Sequence, residues 1–176
     1  MEKLAALSVD LDEIDNYLGI FGLPESTVEG AARHAVYRKA LPRLHGFFRE
    51  HAIPATFFAI GRDLARAENR AALKALADDG FEIANHTQNH LYDLTRRSLE
   101  EQTHEVRSGA DAIEAAVGTR PRGFRAPGYT ITDTLVELLR REGVQYDSSV
   151  FPCPPYYVAK SAALAAIRAR GGRSKS

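Results

Sequence analysis

The sequence has one cysteine, one methionine, no tryptophan and no net charge. The lone Cys153 excludes an intramolecular disulfide and any multi-cysteine zinc or iron–sulfur centre. No stretch approaches the ~18 consecutive apolar residues of a membrane span. The opening MEKLAALSVDLD lacks the apolar core of a signal peptide. Both absences point to a cytoplasmic protein. Zero net charge removes the strong basic field of a nucleic-acid binder, although the zero hides a division. All 23 acidic residues lie at or before Asp147, whereas Lys160, Arg168, Arg170, Arg173 and Lys175 follow it. Five charges with no interleaved aromatics read as a solvated helix face.

What is present is ordinary for a globular domain. Hydrophobic residues at 44% and charged ones at 26%, over 176 residues, suit one domain with a substantial core and exclude wholesale disorder. Short apolar runs, each bounded by Pro or Gly, predict strands at 4–9, 55–60, 81–84, 123–126 and 143–147. Helices are predicted between them at 29–51, 69–79, 98–117 and 132–142, with a last one at 157–170 before a frayed GGRSKS end. Pro42 should divide or kink the first of these. Ser98 with Glu101 forms a capping box, and Gly80, Gly118 and Gly143 stand where helices end. Strand and helix alternating about five times mean an α/β fold with a parallel sheet. Periodicity leaves an open sheet and a barrel equally available.

In such folds chemistry collects where strands end. Four of the predicted strand ends carry polar clusters: Ser8-Val9-Asp10-Leu11-Asp12, Asn85-His86-Thr87-Gln88-Asn89-His90, Phe124-Arg125-Ala126-Pro127-Gly128-Tyr129 and Tyr146-Asp147-Ser148-Ser149. Asp10 and Asp12, two apart, point to one side of an extended segment. Two carboxylates forced together share a proton or a cation. His86 and His90, four apart, face one way on a helical turn. One aspartate plus two histidines is a common three-ligand set for a catalytic divalent metal, leaving a position open for water and one carboxylate free as a base. Each piece alone has a plainer reading. A D-x-D pair recurs in loops and in glycosyltransferases, an H-x-x-x-H pair is usually surface, a single arginine is usually an ion-pair partner, and Asp147, Ser148 and Ser149 could be cap and turn residues. The ordered combination is what distinguishes this chain. His34, His45, His51 and His104 fall in helical stretches and read as surface or structural.

These four motifs resemble, in order, those of the polysaccharide deacetylases of the NodB-homology type (carbohydrate esterase family 4). The resemblance covers about residues 4 to 155. It implies a distorted (β/α) barrel with a groove at the strand ends and hydrolysis of an acetamide on an N-acetylated sugar or polysaccharide. It also implies a role for each matching residue. Asp12, His86 and His90 would bind a divalent metal, usually zinc, sometimes cobalt or nickel. Asp10 would be the general base, Arg125 would orient Asp10, and Thr87 would brace the loop between the histidines. The Gly128 N–H would donate to the developing oxyanion. Tyr129, Asp147 and Ser148 would support or line the substrate groove.

Three departures from the family pattern follow. The aspartates are D-x-D rather than adjacent, a spelling similar to a subgroup with a Helicobacter-type peptidoglycan deacetylase and with allantoinase-like and cyclic-imide hydrolases. That keeps a small-molecule amidase as an alternative. Gly128 stands where an aromatic usually follows R-x-P, and Tyr129 comes next. The family's last motif, whose histidine acts as general acid, has no counterpart after His104. The expectation is therefore a single domain over 1–176 with an incomplete barrel of about five βα units, lacking the closing portion. A binding-only remnant is the further alternative. The open barrel should dimerise, swap domains or be poorly soluble. The run Phe151–Tyr157 (FPCPPYY), with Cys153 between prolines, is either a rigid packed loop or a wall of the acyl pocket.

Overall fold

A computed structural model describes residues 5–171 except 22, 25, 26 and 29. Leu4, Glu29 and the stretch 172–176, with Arg173 and Lys175, lie outside the described residues. Five strands form one sheet: β1 (Leu7–Asp10), β2 (Ala55–Ala59), β3 (Glu82–Asn85), β4 (Gly123–Phe124) and β5 (Tyr146–Asp147). Their spatial order is their chain order, and every neighbouring pair is parallel. A doubly wound sheet reverses its order at a switch point, and this one does not. Right-handed crossovers between sequential neighbours set the covering helices on one face. The sheet therefore curls as half of a (β/α) barrel.

The helices are α1 (Ile14–Phe21), α2 (Leu41–Glu50), α3 (Ala67–Asp78), α4 (Leu99–Val117), α5 (Asp133–Arg141) and α6 (Pro154–Ala169). The predicted helix 29–51, expected to divide or kink at Pro42, is three pieces that change type before that residue: a 3-10 stretch at Gly30–His34, a wide π turn at Val36–Ala40, and α2. Pro42 sits in the first turn of α2, where its missing N–H leaves no bond unmade. The capping box forms as predicted: the Ser98 hydroxyl accepts from the Glu101 N–H at 3.2 Å, and the Glu101 carboxylate accepts from the Ser98 N–H at 2.9 Å. Helix α1 has no counterpart in the sequence reading. It buries Asn16 and Leu18, a face too mixed to register as periodic.

Register decides which residues reach the barrel axis. Ser8 pairs with Thr56 and Asp10 with Phe58, on the inner face. Val9 pairs with Phe57, and Phe57 with Ile83, on the helix side. There Phe57, Ala59, Leu73, Leu76 and Ile113, all fully buried, form the main core. Each large side chain so buried is worth about 1.5–3 kcal/mol. A second cluster joins Phe124 of β4 to Leu135, Leu138 and Leu139, the apolar stripe of α5. No described helix is long and apolar enough to cross a membrane.

Candidate active site

All five strand ends open on one rim. Just beyond β1, β3 and β4 stand Asp12, His86 and Arg125, and the inner face next to them is polar. Asp12 holds the histidines together: its Oδ1 lies 3.5 Å from His86 Nε2 and its Oδ2 3.4 Å from His90 Nε2. One ligand atom from each of Asp12, His86 and His90 falls within 4.8 Å of the other two. Both histidines are buried, at 2% and 5% exposure.

The donor set fits a divalent metal on two counts. His86 Nδ1 lies 2.6 Å from the Arg125 carbonyl. That contact places the ring proton on Nδ1 and leaves the Nε2 lone pair facing Asp12, the arrangement metal-binding histidines adopt. Asp12 Oδ1 is buried and accepts no hydrogen bond. A buried acceptor without a donor is costly unless a cation takes that place. Burial opposes charge on His86 and pulls its pKa below the ordinary value. Burial also opposes ionisation of Asp12, but the hydrogen bond to His90 and the charges of His90, His86 and Arg62 outweigh it and hold the carboxyl below its usual range. A neutral histidine and an ionised carboxylate are the forms that ligate.

Asp10 stands apart from this set. Its Oδ2 is 4.0 Å from His86 Nε2, and its Oδ1 accepts from Arg125 Nη1 at 2.6 Å. The guanidinium is itself fixed on several sides. Nη2 donates to Ser8 Oγ at 2.8 Å and Ser148 Oγ at 2.7 Å, Nε donates to the Ser148 carbonyl at 3.2 Å, and the plane lies 4.0 Å over the Phe58 ring. Planar forked donors held this way place a carboxylate in one position.

The pair H-x-x-x-H does not lie on a helical turn. Residues 86–90 are an irregular loop in which Thr87 (φ 68°) and His90 (φ 57°) take the left-handed conformation. A β-branched residue there costs about 1–3 kcal/mol, so the surroundings must hold it. The Thr87 hydroxyl accepts from the His90 N–H at 3.0 Å, and Asn85 Oδ1 accepts from the Thr87 N–H at 3.0 Å. From α4, buried Glu105 accepts from the Asn89 backbone N–H at 2.8 Å and from Asn89 Nδ2 at 2.6 Å. A methyl group on Gly109, one turn further along α4, would meet Asn85 Oδ1 at 2.5 Å and the Thr87 carbonyl carbon at 2.7 Å, so glycine lets the helix press against this loop.

The remaining predicted residues fall as follows. Ser148 reaches the inner face through Arg125. Asp147 does not: its neighbour in register is Phe124, on the helix side, and its carboxylate accepts from the Ser149 N–H at 2.9 Å and hydroxyl at 2.5 Å. Buried Ser149 in turn accepts from the Ala126 N–H at 2.8 Å, so Asp147 braces the R-A-P loop rather than lining a groove. Gly128 is left-handed (φ 67°). Tyr129 stacks on Phe151 at 5.0 Å, and both line an open cleft of about 360 Å³ with Ser8, Asp10, Arg125 and Ser148. Phe151 thus stands at the cleft, while Cys153 caps the start of α6.

Sequence reasoning missed Glu105, Tyr17, Tyr92 and the end of β2. Tyr92 packs edge-on against His90 at 4.7 Å. Burial raises the Tyr17 pKa, with the Asp12 and Asp10 charges adding to it, so α1 sets a phenol beside the acids. Arg62, after β2, donates to Asp15 at 2.9 Å and Asn16 at 2.7 Å, tying α1 to the rim. Next to it Asp63 is pushed up to about 7, mainly by burial.

A curled parallel sheet thus carries an Asp/His/His cluster and an arginine-held aspartate at its C-terminal rim. The family model described as "Polysaccharide deacetylase" matches residues 33–146, and the chain belongs to that family. A peptidoglycan deacetylase of Helicobacter pylori is 28% identical over 159 residues, covering 89% of this chain and 53% of its own length. The crystal structure of a Mycobacterium smegmatis protein assigned to the polysaccharide deacetylases superposes with TM-score 0.70 at 28% identity, covering 83% of this chain and 50% of that one. A carbohydrate esterase family 4 pseudoenzyme from Bacillus anthracis shares the fold at TM-score 0.60 and 22% identity, covering 81% and 41%. The chain spans about half the length of the curated relatives it matches.

Proposed function

We propose that this chain carries the catalytic half-site of an N-deacetylase, hydrolysing the acetamide of an N-acetylated sugar or polysaccharide to a free amine and acetate. The observation that carries this reading is the Asp10 carboxylate clamped by Arg125 and set 4.0 Å from a ligand atom of the Asp12/His86/His90 cluster. The relatives named as peptidoglycan and chitooligosaccharide deacetylases support the substrate class. So does the aromatic cleft, since tyrosine and phenylalanine faces suit sugar rings.

Two imidazoles and one carboxylate suit zinc first, with cobalt or nickel as substitutes. Bound there, such a metal supplies a Lewis acid that polarises the acyl oxygen and acidifies water. The protein groups do the rest. Asp10 removes the proton from the attacking water, and Arg125 keeps the carboxylate aimed. The Gly128 N–H donates to the acyl oxygen as negative charge develops on it. Tyr129 and Phe151 hold the sugar at the mouth of the cleft.

The test is acetate release from N-acetylglucosamine oligomers beside ring opening of a cyclic imide, each with zinc and with chelator. Zinc-dependent acetate release supports the proposal. Imide opening without acetate release replaces it with a small-molecule amidase, and zinc binding with neither activity leaves a binding module.

A further inference from the structure

Gly128 departs from the family pattern, and the structure shows what occupies the space its missing side chain leaves. A Cβ built on Gly128 would lie 3.0 Å from Tyr92 Cδ1 and 3.6 Å from Lys160 Nζ. Lys160 comes from α6, far along the chain, and its ammonium rests over the bare face of the residue whose N–H is the candidate oxyanion donor. We propose that Lys160 is a second, cationic recognition element for the acyl oxygen, binding the negative charge that develops there and the acetate that leaves. This rests on the deacetylation reading above.

Two observations support it. First, α6 is docked so as to aim the lysine. Tyr156, one turn before Lys160 and therefore on the same helix face, packs edge-on against Phe151 at 5.2 Å and Tyr129 at 6.2 Å. The helix enters through Pro154 and Pro155, which fix its first turn. Second, the charge is unspent. Arg125 is committed to Asp10, and Asp12 to the two histidines. Lys160 is half-buried with no carboxylate partner among the described residues, and burial alone pulls its pKa down. A half-buried ammonium without a counterion gains most from an anion that arrives during turnover.

The test is a ligand-observed NMR titration of sodium acetate, with acetamide as its neutral counterpart, on the zinc-loaded wild type, Lys160→Met and Lys160→Arg. Removal of a single oxyanion donor typically costs 10²–10³-fold in turnover, and binding of a ground-state anion should feel about a tenfold loss. K160M should therefore weaken acetate about tenfold, leave acetamide unchanged, and reduce the weakening of acetate by added salt. K160R should stay within about threefold of wild type. Equal acetate affinity in wild type and K160M, or a parallel loss of acetamide, overturns the proposal, as does a wild type that binds no acetate. If wild type releases acetate from oligomers while K160M binds acetate normally, only this inference fails. If acetate binding depends on Lys160 but no N-acetyl sugar is cleaved, only the deacetylation reading fails.

Discussion

Glu105→Ala should damage the metal site from a distance. Glu105 is 2% exposed, and its two oxygens receive the Asn89 backbone N–H at 2.8 Å and side-chain amide at 2.6 Å. Asn89 immediately precedes His90, whose φ of 57° is held only by what surrounds it. Each hydrogen bond to an ionised carboxylate is worth about 1.5–3 kcal/mol, and part of that returns when water reaches the freed groups. A net loss of about 2–4 kcal/mol follows. At roughly 2–4 °C per kcal/mol for a chain of this size, the metal-free melting temperature should fall by about 4–16 °C. The released loop should also misplace His90 Nε2, and loss of a partner that orients a ligand costs about 10–100-fold in metal affinity. Competition with a chelating dye reads that affinity, and circular dichroism reads the melt. A variant that melts lower but binds zinc within twofold of wild type would refute the link between α4 and ligand placement.

Asp63 sets a pH dependence. Burial raises it to about 7 from an ordinary 3.8, so its stabilising contribution is complete below about pH 4 and is lost as pH rises through about 7. Between pH 4 and pH 8 the wild type should lose stability relative to Asp63→Asn, by about 4 kcal/mol at most at 1.36 kcal/mol per pH unit. Urea melts at both pH values check this, and parallel curves for the two proteins would contradict it. Gly109→Ala should cost about 1–3 kcal/mol through overpacking against Asn85 and Thr87, again lowering zinc affinity, because the helix must back away from the ligand loop. Arg125→Lys keeps one charge but loses the fork that grips Asp10, Ser8 and Ser148, so zinc affinity should hold while kcat falls by about tenfold or more.

The fold was largely legible because strand–turn–helix alternation is a local signal, and the sequential strand order follows from short right-handed crossovers. The candidate residues were legible because they cluster at strand ends. What stayed hidden depends on dihedral angles and on long-range packing. A spacing of four fits a helical turn and equally an irregular loop, and nothing in H-T-Q-N-H announces a left-handed threonine. Glu105 and Gly109 sit in a helix whose polar positions look solvent-facing until α4 is laid against the β3 loop. Helix α1 escaped because its buried face holds an asparagine, which Arg62 explains only in three dimensions. Asp147 was read with its motif neighbours, yet alternation along β5 turns it to the opposite face from Ser148.

The central claim is that Asp10 acts as base beside a metal held by Asp12, His86 and His90. Asp10→Asn keeps the size of the side chain and removes its basicity, while leaving every ligand atom in place. Zinc content and acetate release from N-acetylglucosamine oligomers, measured on the same preparations of wild type and D10N, test the claim most directly. One equivalent of zinc in both proteins, with release lost by about 10²-fold or more in D10N, is the predicted result. Unchanged release in D10N, or loss of zinc with it, contradicts the assignment.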